Sequence, residues 1–196
     1  MARMDGEIVM LSDLLEKSGT AILARWQRLI MQSYPPDTSG FLAQEKDRFL
    51  NPVGYTLSLE TEALFRLLVE GAEESRLADP MDNIVKIRAV QEFSPSEAVG
   101  FVFLLKRAVR EVLGDAARGP ELLDEMAGFE SRIDRLALQA FDLYMERREK
   151  IFQIRARELR ERSGILLDRI NRIYGPLDGD PEGPDLGSSD VMRGGA

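Results

Sequence analysis

Residues 120–174 read PELLDEMAGFESRIDRLALQAFDLYMERREKIFQIRARELRERSGILLDRINRIY, and the fold turns on this stretch. After Pro120 it contains no proline, and its only glycines are Gly128 and Gly164. The spacing predicts one very long helix, with those two glycines as the places where it would kink. At the rise of an α-helix it would measure roughly 80 Å, more than a compact domain of this size can cover. Part of it is therefore expected to protrude or to pair with another chain.

Upstream, helical periodicity continues back to about Ile8, and no segment alternates apolar and polar residues for long enough to argue a sheet. Proline after a capping residue marks helix starts at Asn51-Pro52, Asp79-Pro80, Ser94-Pro95 and, more weakly, Gly119-Pro120. The first helix is expected from Ser12 to Tyr34, burying Leu14, Leu15, Ile22, Trp26, Leu29 and Ile30, and Pro35-Pro36 stops it. A second begins at Pro52 and carries Leu57, Leu64, Phe65 and Leu68 towards Gly71. A short third one, from Pro80 to Val90, carries Ile84, Ile87 and Val90. Ser94-Pro95-Ser96-Glu97 reads as a capping box. It opens an apolar helix with Ala98, Phe101, Val102, Leu105, Val109 and Val112, ending at Gly114 and packed on two sides. The last residues, 175–196, are acidic and rich in Gly and Pro, with almost nothing to bury, and read as disordered.

The chain has neither cysteine nor histidine. Without them it lacks thiolate nucleophiles and thiolate metal sites, the commonest general base, and the usual proximal ligand of a b-type haem. No catalytic residue, cofactor or metal site is assigned, and the expectation is a protein that is not an enzyme. A formal charge of −8 opposes attraction to nucleic acid and to anionic lipid. No apolar run is long enough to span a bilayer, and Asp5 and Glu7 stand where a signal peptide needs basic residues. Cytoplasmic location without membrane insertion follows as the expectation.

Within the long helix Leu138, Met145, Phe152, Leu159, Leu166 and Ile173 recur every seven residues, with Arg148, Arg155, Arg162 and Arg169 three residues after the second to fifth of them. A repeat of seven makes a seam for a partner helix. The position four residues on is filled by Asp142, Glu149, Ala156, Ser163 and Ile170, so the seam is half-formed until its last heptad. Met145, Phe152, Leu159, Leu166, Ile170 and Ile173 are the candidate interaction residues, serving a homodimer or another protein. Glu146/Glu149 and Glu158/Glu161 have the spacing of paired metal-binding carboxylates, but arginines surround them and no histidine completes a set. Asp178, Asp180, Glu182 and Gly183 fit the start of a calcium loop whose twelfth position is Ser189 instead of glutamate, so a solvated tail is favoured.

Three stretches, NPVGYTL at 51–57, IRAVQEFSPSEAVGFVFLLKRAVREVL at 87–113 and DRLALQAFDLYMERREKIFQIRARELR at 134–160, together resemble the N-terminal domain of the RsbT co-antagonist proteins, the RsbR-type subunits of the bacterial stressosome. The resemblance covers about residues 11–162. It implies an all-α, globin-like domain that binds no haem, dimerises, and serves as the input module of a stress-signalling protein, with a long protruding C-terminal helix. Full-length relatives continue into a STAS domain that recruits a kinase; here the resemblance stops before the tail, and a stand-alone module is expected. The domain plan is thus a globin-like domain at 1–145, a signalling and dimerisation extension at 146–174, and the tail at 175–196. The function read from the sequence is a regulatory or sensor domain acting through helix contacts. The alternative is an accessory or adaptor subunit of a cytoplasmic or membrane-associated redox complex.

Overall fold

The computed structural model describes residues 2–4, 7–35, 49–91 and 93–175. The chain divides into two units, residues 1–152 and 153–196. Apart from Gly175, the tail where disorder is expected, with its calcium-loop residues, lies outside the described residues.

In the first unit a short antiparallel ribbon, β1 (Ala2–Met4) with β2 (Glu7–Val9), precedes the helices, a pairing that apolar periodicity did not predict. The helices are α1 (Leu11–Lys17), α2 (Gly19–Gln32), α3 (Pro52–Val69), α4 (Glu74–Val90), α5 (Pro95–Gly100), α6 (Leu104–Leu113) and α7 (Leu123–Tyr174). Short 3-10 turns at Gly114–Ala117 and Pro120–Leu122 lead into α7. The all-helical architecture with a long last helix agrees with the sequence. Neither Gly128 nor Gly164 interrupts α7.

Two expected helices are each broken in two. The helix expected from Ser12 to Tyr34 breaks at Ser18, where a Cβ on Gly19 would lie 3.3 Å from the Phe65 ring of α3. The helix opened by Ser94 breaks over residues 101–103. Trp26 is fully buried, and its indole N–H donates to the Phe101 carbonyl at 2.8 Å. Leu105 N–H, which would claim that carbonyl in a continuous helix, bonds the Val102 carbonyl instead. The buried donor thus finds its acceptor where the helix tightens and breaks. Ser94 caps α5 as expected, accepting from Glu97 N–H while the Glu97 carboxylate accepts from Ser94 N–H.

A third correction concerns Asp79-Pro80, which does not start a helix. Helix α3 ends in a Schellman turn, with Ala72 N–H on the Leu67 carbonyl, Gly71 N–H on the Leu68 carbonyl, and Gly71 at φ 73°. Helix α4 then starts at Glu74 and carries Pro80 inside it, where buried Leu77 holds the first turns in place. Proline there deprives the Arg76 carbonyl of a helical partner, a cost the packing absorbs. Val90 is exposed, and Val85 and Ala89 are the core residues beside Ile84. Leu14 and Val112 are half-buried at the edge of the core.

Candidate interaction surface

Helix α7 meets its neighbours in the first unit through Phe129, Ile133, Leu136, Ala137, Ala140 and Tyr144, all buried. Their steps of three and four residues define one face of the helix. Ion pairs flank that face. Arg110 of α6 clasps Glu130 through two bonds of 2.7 and 2.8 Å, Lys106 meets Asp134 at 2.6 Å, and Arg147 clasps Asp82 of α4. Burial pushes the Asp82 carboxyl up, but hydrogen bonds from Lys86 and Arg147 outweigh it and hold the group below its ordinary range. Helix α6 is held on its other side by Arg25 of α2, which bonds Glu111. With Arg107, that contact brings the Glu111 carboxyl down to about 2.

The six residues singled out for interaction all lie on α7 and are all exposed. Met145 and Phe152 belong to the first unit, 47% and 70% exposed. Leu159, Leu166, Ile170 and Ile173 belong to the second, at 64%, 59%, 40% and 64%. Within the second unit, helix geometry puts Leu159, Leu166, Ile170 and Ile173 on one side, as the repeat of seven requires. The sequence reading missed Phe141, which is 41% exposed and stands three residues after exposed Leu138 and four before Met145. It was legible as an apolar residue at a helix-neighbour spacing. Counting only every seventh position hid it.

A second feature escaped the sequence reading. Arg88 is fully buried, its guanidinium 5.1 Å from the centre of the Tyr34 ring and 4.9 Å from those of Phe93 and Phe101. It donates to the Glu97 carbonyl at 2.9 Å, and Nε has no hydrogen-bond partner among the described residues. Burial lowers the pKa of this arginine and raises that of Tyr34. The rings replace part of its hydration through cation–π contact. No periodicity rule places an arginine in a core, so the sequence carries no signal for it.

Clefts in the first unit offer little free chemistry. One of about 450 Å³ is lined by Phe103, Lys106, Arg107, Arg110, Glu111 and Glu130, and each of its cations is ion-paired. In another, of about 250 Å³, Arg132 donates weakly to the Ala72 carbonyl and Arg135 pairs with Glu74. Among the described residues no three His, Cys, Asp or Glu side chains are grouped to hold a metal. Nor is any helix there long and apolar enough to cross a membrane.

The model of the RsbT co-antagonist protein rsbRD N-terminal domain matches residues 20–159. The chain belongs to this family. Its rsbRD-type domain therefore runs from α2 into the second unit, and the family is a stressosome-related one of regulatory signalling domains. Residues 160–174 of α7 lie beyond the match. Neither a curated protein nor a solved structure matches the chain.

Proposed function

We propose that this chain is a non-enzymatic sensor or adaptor module of the cytoplasm, globin-like and without haem, that dimerises and works by pairing its long C-terminal helix with other helices. Residues 1–145 are the input domain in this reading, and residues 146–174 the signalling and dimerisation extension. The observation that carries it is that the heptad-spaced apolar residues are exposed in each unit, Met145 and Phe152 in the first and Leu159, Leu166, Ile170 and Ile173 in the second. Water-exposed apolar residues recurring at a partner-helix spacing mark a surface that gains free energy by being covered. Family membership supports the regulatory role, and a chain without histidine lacks the usual axial ligand of haem.

Light scattering tests the pairing. The wild-type chain is expected to be dimeric at micromolar concentration, and Phe152→Asp with Leu159→Asp to give monomers of unchanged helicity. Dimers that persist in the double variant would overturn the proposal.

A further inference from the structure

The charges beside the apolar row bear on what covers it. Residues 153–174 hold six arginines, Arg155, Arg157, Arg160, Arg162, Arg169 and Arg172, against three acids, Glu158, Glu161 and Asp168, in a chain whose formal charge is −8. Arg155, Arg162 and Arg169 follow one another at seven-residue intervals, which puts them in a row along one flank of Leu159, Leu166 and Ile173. Among the described residues none of the three makes an ion pair. Glu158 stands three residues after Arg155 and four before Arg162, a spacing that permits a bond, and pairs with neither. Glu161 and Asp168 fall two residues after Leu159 and Leu166, on the far side of the helix.

A second copy paired in register along residues 153–174 brings no carboxylate to this row. Paired parallel in register, it would bring Arg160, Leu167 and Tyr174 against the arginines. Paired antiparallel, it would bring the same arginines. Neither arrangement offers a carboxylate, so self-pairing here covers the apolar row while leaving its flank repelled or unanswered. A helix with an apolar row and a carboxylate at every seventh residue satisfies both features at once. A polyanion such as RNA would neutralise the arginines but leave Leu159, Leu166, Ile170 and Ile173 in water.

We propose that residues 153–174 take an acidic helix of another protein, one that carries heptad-spaced carboxylates beside its own apolar row. This rests on the reading that the exposed row is a helix-pairing surface. Self-association is then the weak, exchangeable state, and the acidic partner the one that displaces it.

Three synthetic helical peptides with the same Leu/Ile row and Glu, Gln or Lys on the flanks test this, titrated into the full chain and followed by fluorescence anisotropy. The Glu peptide is expected to bind at least about tenfold tighter than the Gln peptide. That advantage should shrink as salt is raised and vanish in the variant Arg155→Gln, Arg162→Gln, Arg169→Gln. Equal binding of the Glu and Gln peptides overturns the acidic partner and leaves helix pairing standing. Displacement of the Glu peptide by single-stranded RNA, unaffected by Leu159→Asp and Leu166→Asp, overturns it in favour of a polyanion. If no peptide binds and the Asp variants leave the mass of the chain unchanged, the pairing surface itself is refuted.

Discussion

Helix α7 is one element with two kinds of residue environment. Over Leu123–Phe152 one face, Phe129, Ile133, Leu136, Ala137, Ala140 and Tyr144, is buried at steps of three and four while Leu138, Phe141, Met145 and Phe152 stay exposed, and Glu130, Asp134, Arg135 and Arg147 make ion pairs with other helices. Over residues 153–174 the large apolar residues, Ile154, Leu159, Ile165, Leu166, Leu167, Ile170 and Ile173, are all exposed. No ion pair forms there among the described residues. The two stretches have similar helix-forming composition, so what separates them is the presence of neighbours. Tertiary packing stabilises the first stretch, whereas the second depends on intrinsic helix preference and on whatever chain covers its row.

The sharpest way to break this contrast is to truncate a large apolar side chain in each stretch. Ile133→Ala is expected to lower the unfolding free energy by about 2–4 kcal/mol, because Ile133 is fully buried and leaves a cavity. Leu166→Ala, measured by urea unfolding at a concentration where the chain is monomeric, should cost less than about 0.5 kcal/mol. Equal losses would mean that Leu166 is covered within the monomer.

A smaller effect concerns acid. Asp82, paired with Arg147, titrates below its unfolded value of about 3.9. A carboxyl held low contributes its stability above the unfolded pKa and loses it as pH falls through the folded one. The urea midpoint should therefore drop on acidification below about pH 4. Asp82→Asn should make that drop shallower, and identical slopes in the two proteins would remove this pair as an anchor of the first stretch. The smallest change is expected at Gly164, where an added Cβ meets nothing within 4 Å. Gly164→Ala should stabilise the second stretch by up to about 1 kcal/mol, seen as higher helicity and slower amide exchange around residue 164. A loss of dimer instead would show that Gly164 lets two helices approach closely.

Much of this arrangement is legible in local chemistry. Asn51 and Ser94 accept from the backbone N–H three residues on, as their place before proline foretold, and Gly71 ends α3 in the left-handed conformation that glycine adopts without steric cost. The candidate surface was legible as well, since a repeat of seven survives in sequence whatever the core does. Local rules failed where a distant group intervened. Pro80 sits inside α4 because buried Leu77 holds the turns ahead of it, and α5 separates from α6 where the Trp26 indole takes the Phe101 carbonyl. Arg88 is the extreme case. Its place among Tyr34, Phe93 and Phe101 brings the residues after α2 onto the α4–α5 region, far away in the chain.

The sequence by itself determined the helical class, most of the helix starts and stops, and the row of apolar residues on α7. These follow from periodicity, capping and backbone restrictions, which act over a few neighbouring residues. Only the tertiary structure decided which helices break, which cation is buried, and which apolar residues of α7 stay in water. Burial depends on what the rest of the chain brings to a surface, and no local spacing contains that information.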